Sequence, residues 1–382
     1  MNVRHCHNID DFRRLAKRRL PGPVFDYIDG GADDEVTLKR NTAAFDDCDL
    51  VPNVLAGVTD IDMSVTVMGR RIEMPLMLSP TAMQRLFHWE GERAVGRAVE
   101  KFGTWFGIST IGTVSIEEIG RTVSTPKLFQ LYVHRDPGLN RALVQRCKDA
   151  GFDAIALTVD TIVGGNRERD LRTGFTTPPR WTPRSLASFA AHPGWTFDYL
   201  LREPFALANV RDFVTDGSSV ASGVAEYIDK MFDPAMDWKA AEAIRADWGG
   251  PFALKGVMSV ADARRAVEIG ASTIYVSNHG GRQLDGSRAP FDQLAEIVDA
   301  VGDKLEVICD GGIRRGSHVL KALSVGATAC SGGRLYLYAL AAGGQAGVEC
   351  ALGKLQAEIA RGMRLMGVTR IDQLSRDNLR WR

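Results

Sequence analysis

Eight short apolar runs, each followed by a turn signal and a helix-forming stretch, constrain this chain more than any other feature. They read "MPLMLSP" (74–80), "TWFGIST" (104–110), "KLFQLYV" (127–133), "AIALTVD" (154–160), "PFALKGV" (251–257), "STIYVSN" (272–278), "EVICDGG" (306–312) and "ATACSGG" (327–333). Their apolar residues are continuous rather than alternating, as in strands buried on both faces. Between them lie amphipathic segments such as "GERAVGRAVEKFG", "LNRALVQRCKDAG", "SVADARRAVEIG" and "GSHVLKALSVG", each closing on Gly, a helix C-terminal signal.

Strand–helix alternation implies a parallel sheet. Eight such units predict an α/β fold, a (β/α)8 TIM barrel, which typically takes about 250 residues. A doubly wound sheet would want a GxGxxG turn after an early strand, and none has one. The fourth and fifth runs start at 154 and 251, 97 residues apart, against 20 to 35 for most of the others. A long insertion after strand 4, at about 171–238, is therefore expected on the active face. The division expected is a single domain over 1–382: a helical extension at 1–73, the barrel at 74–345 and C-terminal helices at 346–382.

Lys plus Arg equals Asp plus Glu at 47 each, so no global charge favours nucleic acid. The six cysteines form no CxxC pair and lack zinc-site spacing to histidine, so no metal is expected and they read as reduced cytoplasmic thiols. The first residues are charged and carry no apolar signal-peptide core, and no run reaches the roughly 18 apolar residues of a membrane span.

In such barrels the chemistry sits at the C-terminal strand ends. Nearly every end here is polar: Thr81 beside Ala82, Ser109, Gln130 and Tyr132, Thr158 and Asp160, Lys255, Ser277 with His279 and Arg282, Asp310, and Arg334. "DGGIRRG" and "SGGR" follow strands seven and eight, where glycine N–H groups and arginines commonly hold a phosphate. In "SNHGGRQLDG", His279 lies one residue past a strand end, with Asp160 at another end to orient it: general-base architecture. Arg282 is suited to clamp a carboxylate. Arg167, inside "NRERD", reads on spacing alone as a surface salt bridge. Lys255 reads either as a Schiff-base lysine or as a fixed cation beside an electron-rich cofactor.

Taken together, "FDYIDGGADDEVTLKRN", "SPTAM", "FQLYVHRD", "LTVDT", "ALKGV", "SNHGGRQLDG" and "DGGIRRG" resemble the FMN-dependent L-2-hydroxy-acid oxidising family, which includes glycolate oxidase, lactate oxidase, mandelate dehydrogenase and the flavin domain of flavocytochrome b2. Within it, "HGGRQLDG", the insertion and the tail "LYLYALAAGGQAGV" look most like the bacterial respiratory L-lactate dehydrogenases. The resemblance implies FMN as cofactor, His279 as base and Asp160 as its partner. It implies Arg282 and Arg167 as carboxylate clamps, and Tyr27 and Tyr132 as substrate hydroxyls. It implies Lys255 near flavin N1, with Thr81, Ala82, Ser109, Gln130, Thr158 and Ser277 along the ring and ribityl chain. Asp310, Gly312, Arg314, Gly333 and Arg334 would hold the ribityl and phosphate end. Two departures stand out: Ile111 replaces a tryptophan of plant glycolate oxidase, and "SGGR" lacks a bulkier residue before Gly-Arg. No haem domain is expected before the barrel.

The implied reaction is oxidation of an L-2-hydroxy acid, lactate first, to the 2-oxo acid, with a quinone or cytochrome as electron acceptor. An oxygen-using oxidase making hydrogen peroxide, a Schiff-base aldolase and a catalytically dead barrel are the competing readings. Segment 184–210, "RSLASFAAHPGWTFDYLLREPFALANV", is rich in Leu, Phe, Trp and Ala. It reads either as a peripheral membrane contact or as a lid or subunit contact. By analogy with the family a homotetramer is expected.

Overall fold

A computed structural model of the chain describes residues 2–175, 182–211 and 231–382. Its centre is a closed, all-parallel barrel of eight strands: β1 (Leu76–Thr81), β2 (Phe106–Ser109), β3 (Lys127–Leu131), β4 (Ala154–Thr158), β5 (Phe252–Val257), β6 (Thr273–Ser277), β7 (Glu306–Asp310) and β8 (Ala329–Gly332). Each strand pairs with its neighbour in chain order, and β8 closes onto β1. The (β/α)8 expectation holds.

The continuous apolar runs resolve into two buried faces. Leu76, Leu78, Ile155, Leu157, Ile274, Val276 and Cys309 pack outward under the helices, in one large core. Met77, Trp105, Leu128, Ala156, Ala253, Tyr275 and Ile308 fill the barrel interior in a second cluster. Above that layer the inward position of every strand turns polar: Ser79, Ser109, Gln130, Thr158, Lys255, Ser277, Asp310 and Ser331. The floor below is closed by a hairpin of Val65–Val67 and Arg70–Ile72, whose Met68 N–H donates to the Glu306 carboxylate at 2.9 Å.

Helices end where the glycines predicted. Glu92–Phe102 stops at Gly103 (φ 54°) and Gly316–Val325 at Gly326 (φ 118°), left-handed conformations that other residues adopt only with strain. The extension is helical only in its first part. Helix α1 (Ile9–Arg19) is capped by Asn8 and buries Ile9, Phe12, Leu15 and Ala16, a helical stripe laid against the long helix Arg334–Met366. Helices α2 (Gly22–Asp29) and α3 (Val36–Ala43) follow. Past Asp47 the chain forms the short strand Cys48–Leu50, paired antiparallel with Leu379–Trp381, so the C-terminal segment likewise ends in a strand rather than a helix. The long helix is broken at Gly343 and Gly344, where φ and ψ leave the helical region.

Within the insertion, helices Pro183–Ala190 and Pro193–Leu201 lie over the active face, and Ser188 Oγ accepts the Gly22 N–H at 2.8 Å. The parts of the insertion at 176–181 and 212–230 lie outside the described residues. No helix among the described residues is long and apolar enough to cross a membrane.

Candidate active site

The polar ring above the barrel core consists of two hydrogen-bonded clusters. Lys255 Nζ donates to Asp310 Oδ2 at 2.6 Å and to Ser277 Oγ at 3.1 Å. Ser277 and Ser79 also donate to the Asp310 carboxylate, at 2.8 and 2.5 Å. On the opposite side Ser109 donates to Gln130 Oε1 at 2.8 Å, and Gln130 Nε2 to Thr158 Oγ1 at 2.7 Å. Burial works against an ionised Asp310, but the Lys255 ammonium and the two hydroxyls outweigh it and hold the carboxyl below its ordinary value. Ser79 and Ser331, hydrogen-bonded to each other, belong to this layer and were missed in the sequence. Counting every second residue back from each strand end would have found them.

Above the layer stands His279. Its backbone adopts φ +57°, left-handed for a non-glycine residue, a conformation that costs on the order of 1–3 kcal/mol and concentrates at functional sites. The flanking Gly280 and Gly281 share that handedness, so the loop turns sharply off β6 and presents the imidazole to the cavity. Nδ1 of His279 lies 2.9 Å from Asp160 Oδ1 and 3.2 Å from Thr161 Oγ1. Both contacts fall on Nδ1, which leaves Nε2 for a ligand. Burial alone would raise the Asp160 carboxyl. The neighbouring His279 imidazole, the Lys255 ammonium and the Thr161 hydroxyl more than offset that, so it is held below the usual range. Its Oδ2 is buried with no hydrogen-bond partner among the described residues.

Three guanidiniums converge on the same cavity. Arg282 Nη1 donates to the carbonyls of Tyr27 (2.7 Å) and Gly30 (3.0 Å). Arg334 donates to Ile28 and Gly280 (2.8 Å each) and to Gly30 (2.7 Å). Arg167 lies 3.3 Å from Asp170, an ion pair within "NRERD", but Asp170 is buried and Arg167 half-buried rather than at the surface. Arg167 and Arg282 both lie over the Tyr27 ring, 5.4 and 4.9 Å from its centre. Burial pushes Arg282 down, reinforced by Arg167, and pushes Arg334 down to about 10.

One cavity therefore joins Tyr27, Thr81, Ala82, Ser109, Tyr132, Arg167, Lys255, His279, Arg282, Asp310, Gly333 and Arg334, residues far apart in sequence. Gln130, Thr158 and Ser277 sit in the layer beneath it, and Asp160 behind His279. Two further expected residues lie away from it. Gly312 is pressed against α3, where an added Cβ would meet the Asn41 carbonyl at 1.8 Å. Arg314 lies over the Tyr338 ring (6.0 Å) and lines a separate hollow with Arg13 and Lys39. Phe87 and Thr161 line the cavity without having been expected there. Burial pushes the Tyr132 phenol up, with Asp160 adding to it, and the ring stacks on Phe232 at 4.5 Å.

A family model described as FMN-dependent dehydrogenase matches residues 16–381. The chain belongs to that family. It is 41% identical over 371 residues to an L-lactate oxidase of Nostoc sp., covering 96% of both chains. It is 40% identical over 370 residues to an L-lactate dehydrogenase of Caulobacter sp., covering 97% of both. Among solved structures, the monotopic membrane protein (S)-mandelate dehydrogenase superposes with a TM-score of 0.93 at 35% identity, covering 99% of this chain and 100% of that one.

This member of the FMN-dependent dehydrogenases is thus an enzyme with FMN as its cofactor, and its residues fit that group. Arg334 is a half-buried cation whose nitrogens face only carbonyl oxygens, beside the helix N-terminus at Gly333. A guanidinium in that setting accommodates an anion. Gly333 is tightly enclosed, since an added Cβ would meet the Thr81 methyl at 2.9 Å and force it to shift. The layer of Lys255, Ser109 and Gln130 supplies hydrogen-bonding groups for a polar ring edge.

Proposed function

We propose that this enzyme oxidises L-2-hydroxy acids, L-lactate first, to 2-oxo acids and passes the electrons to a quinone. The observation that carries this reading is the Asp160–His279 pair (2.9 Å) on the cavity shared with Arg282 and Arg167. When bound, FMN supplies the two-electron acceptor for the hydroxy acid. Every other task falls to side chains. Arg282 and Arg167 bind the substrate carboxylate; charge-assisted bonds of this kind contribute roughly 1.5–3 kcal/mol each. Tyr27 and Tyr132 orient the hydroxyl. His279 Nε2 takes a substrate proton, and Asp160 stabilises the imidazolium that results. Lys255, Ser109 and Gln130 hold the ring edge, and Gly333 with Arg334 the phosphate end.

The geometry favours the fixed-cation role for Lys255 over the Schiff-base one, because its ammonium, though it lines the cavity, is paired with the Asp310 carboxylate and bonded to Ser277. The decisive experiment is anaerobic addition of L-lactate, glycolate or mandelate to the yellow protein. Bleaching by L-lactate is expected. A yellow protein that no 2-hydroxy acid bleaches would end this reading. Peroxide yield in air separates the quinone reading from an oxygen-using oxidase.

We also propose that the chain acts as one domain, assembles as a tetramer and sits in the cytoplasm against a membrane surface through 184–210. Leu186, Phe197, Leu200 and Leu201 of this segment are all more than half exposed, an apolar face suited to an interface.

A further inference from the structure

A second cavity, of about 430 Å³, lies between the insertion and the barrel. That volume is in the range of small-molecule sites. One wall is aromatic. Trp195 stacks on Tyr199 (5.0 Å, 11° between planes), and Trp195 Nε1 donates to the Leu86 carbonyl at 2.8 Å, which pins the insertion helix to the barrel. Trp89 completes the lining on the barrel side, with Arg202 4.5 Å above its ring. Polar groups face the same space. Arg18 and Arg19 reach it from the end of α1 and form no ion pair among the described residues. His192 places Nδ1 2.6 Å from the Ser188 carbonyl, so Nδ1 donates there and Nε2 is left for a ligand.

Phe87 lines both this cavity and the active-site cavity, so one aromatic side chain forms the shared wall. On the helix Pro193–Leu201, Trp195, Asp198 and Tyr199 face the cavity. Phe197, Leu200 and Leu201 fall on the opposite, exposed face of the same helix.

We propose that this cavity binds the quinone that reoxidises the enzyme, which rests on the dehydrogenase reading above. A flat quinone ring stacks on Trp195 and Trp89, its carbonyl oxygens accept from Arg18 or Arg19, and an isoprenoid tail leaves through the cavity mouth toward solvent or a membrane surface. The quinone gains two electrons, those taken from the hydroxy acid, and two protons, drawn from solvent through His192, and leaves as the hydroquinone.

The test uses the intact FMN-loaded enzyme and a short-chain benzoquinone. Saturable quenching of tryptophan fluorescence is expected, and an azido-benzoquinone should label peptides within 18–20, 85–89 or 191–205. In Arg19→Ala and Trp89→Leu the quinone KM should rise roughly tenfold, the loss of one stacking or charge-assisted contact. Dye-linked turnover and bleaching by hydroxy acid should stay unchanged. Labelling confined to other peptides overturns the proposal, as does a parallel change in quinone and dye kinetics. Absence of bleaching in the unmodified enzyme would instead overturn the dehydrogenase reading.

Discussion

Asp160 Oδ1 lies 2.9 Å from Nδ1 of His279, while its Oδ2 is buried without a hydrogen-bond partner among the described residues. A carboxylate so placed orients the imidazole and favours its cationic form. His279→Gln should therefore lower the bleaching rate by about 10²–10⁴-fold, the usual worth of a positioned base, and leave the yellow colour intact. Asp160→Asn should give a smaller loss of the same kind. Stopped-flow absorbance under anaerobic conditions checks both. Loss of colour on His279→Gln would mean a structural role.

Lys255 and Asp310 form a buried pair at 2.6 Å. Removing the ammonium strands a buried carboxylate, which costs about 3–5 kcal/mol. Lys255→Met should therefore lower the melting temperature and lose cofactor on gel filtration. The double variant with Asp310→Asn should recover stability without recovering bleaching. If the single variant is as stable as the parent, the pair has no stabilising role.

Asp29 ties the N-terminal extension together through Arg13 (2.5 Å), Arg169 (2.9 Å) and Tyr338 (2.8 Å). Burial opposes its ionised form, and these partners prevail, holding it at about 2 against an ordinary 3.8. A lowered value means stability that is present above pH 4 and lost as pH falls toward 2. The shift corresponds to roughly 2 kcal/mol, an upper value because Arg13 and Arg169 are partly exposed. In urea titrations, Asp29→Asn should be less stable than the parent at pH 6, and the gap should narrow by pH 3. A gap independent of pH would place its origin elsewhere.

Ile111 lines the active-site cavity and is buried. Ile111→Trp should shrink the space for the substrate side chain. The ratio of kcat/KM for glycolate over mandelate should rise by about tenfold or more, the scale of a steric change in an apolar pocket. An unchanged ratio would place the side-chain pocket away from Ile111.

The exposed face of Phe197, Leu200 and Leu201 can be tested by replacing all three with Ser. Flotation with vesicles should fall while soluble dye-linked turnover persists. Equal flotation of parent and variant would leave the segment as a lid or subunit contact.

The barrel and most of its chemistry were legible along the chain for a local reason. A strand buried on two faces must be apolar throughout, and it turns polar only where it ends. That exposed Lys255, His279 and Asp310 at once. The direction of long side chains was not legible. Arg314 and Arg334 both follow a Gly-Gly pair, yet Arg334 enters the cavity, held by the carbonyls of Ile28, Gly30 and Gly280, while Arg314 leans on Tyr338. Phe87 likewise became a wall between two cavities only when the insertion helix docked on Leu86. Periodicity and turn chemistry, which act over a few residues, thus determined the cylinder and its ring of polar ends. Packing between segments hundreds of residues apart decided which arginines meet, what Tyr27 lies beneath, and where a second ligand has room.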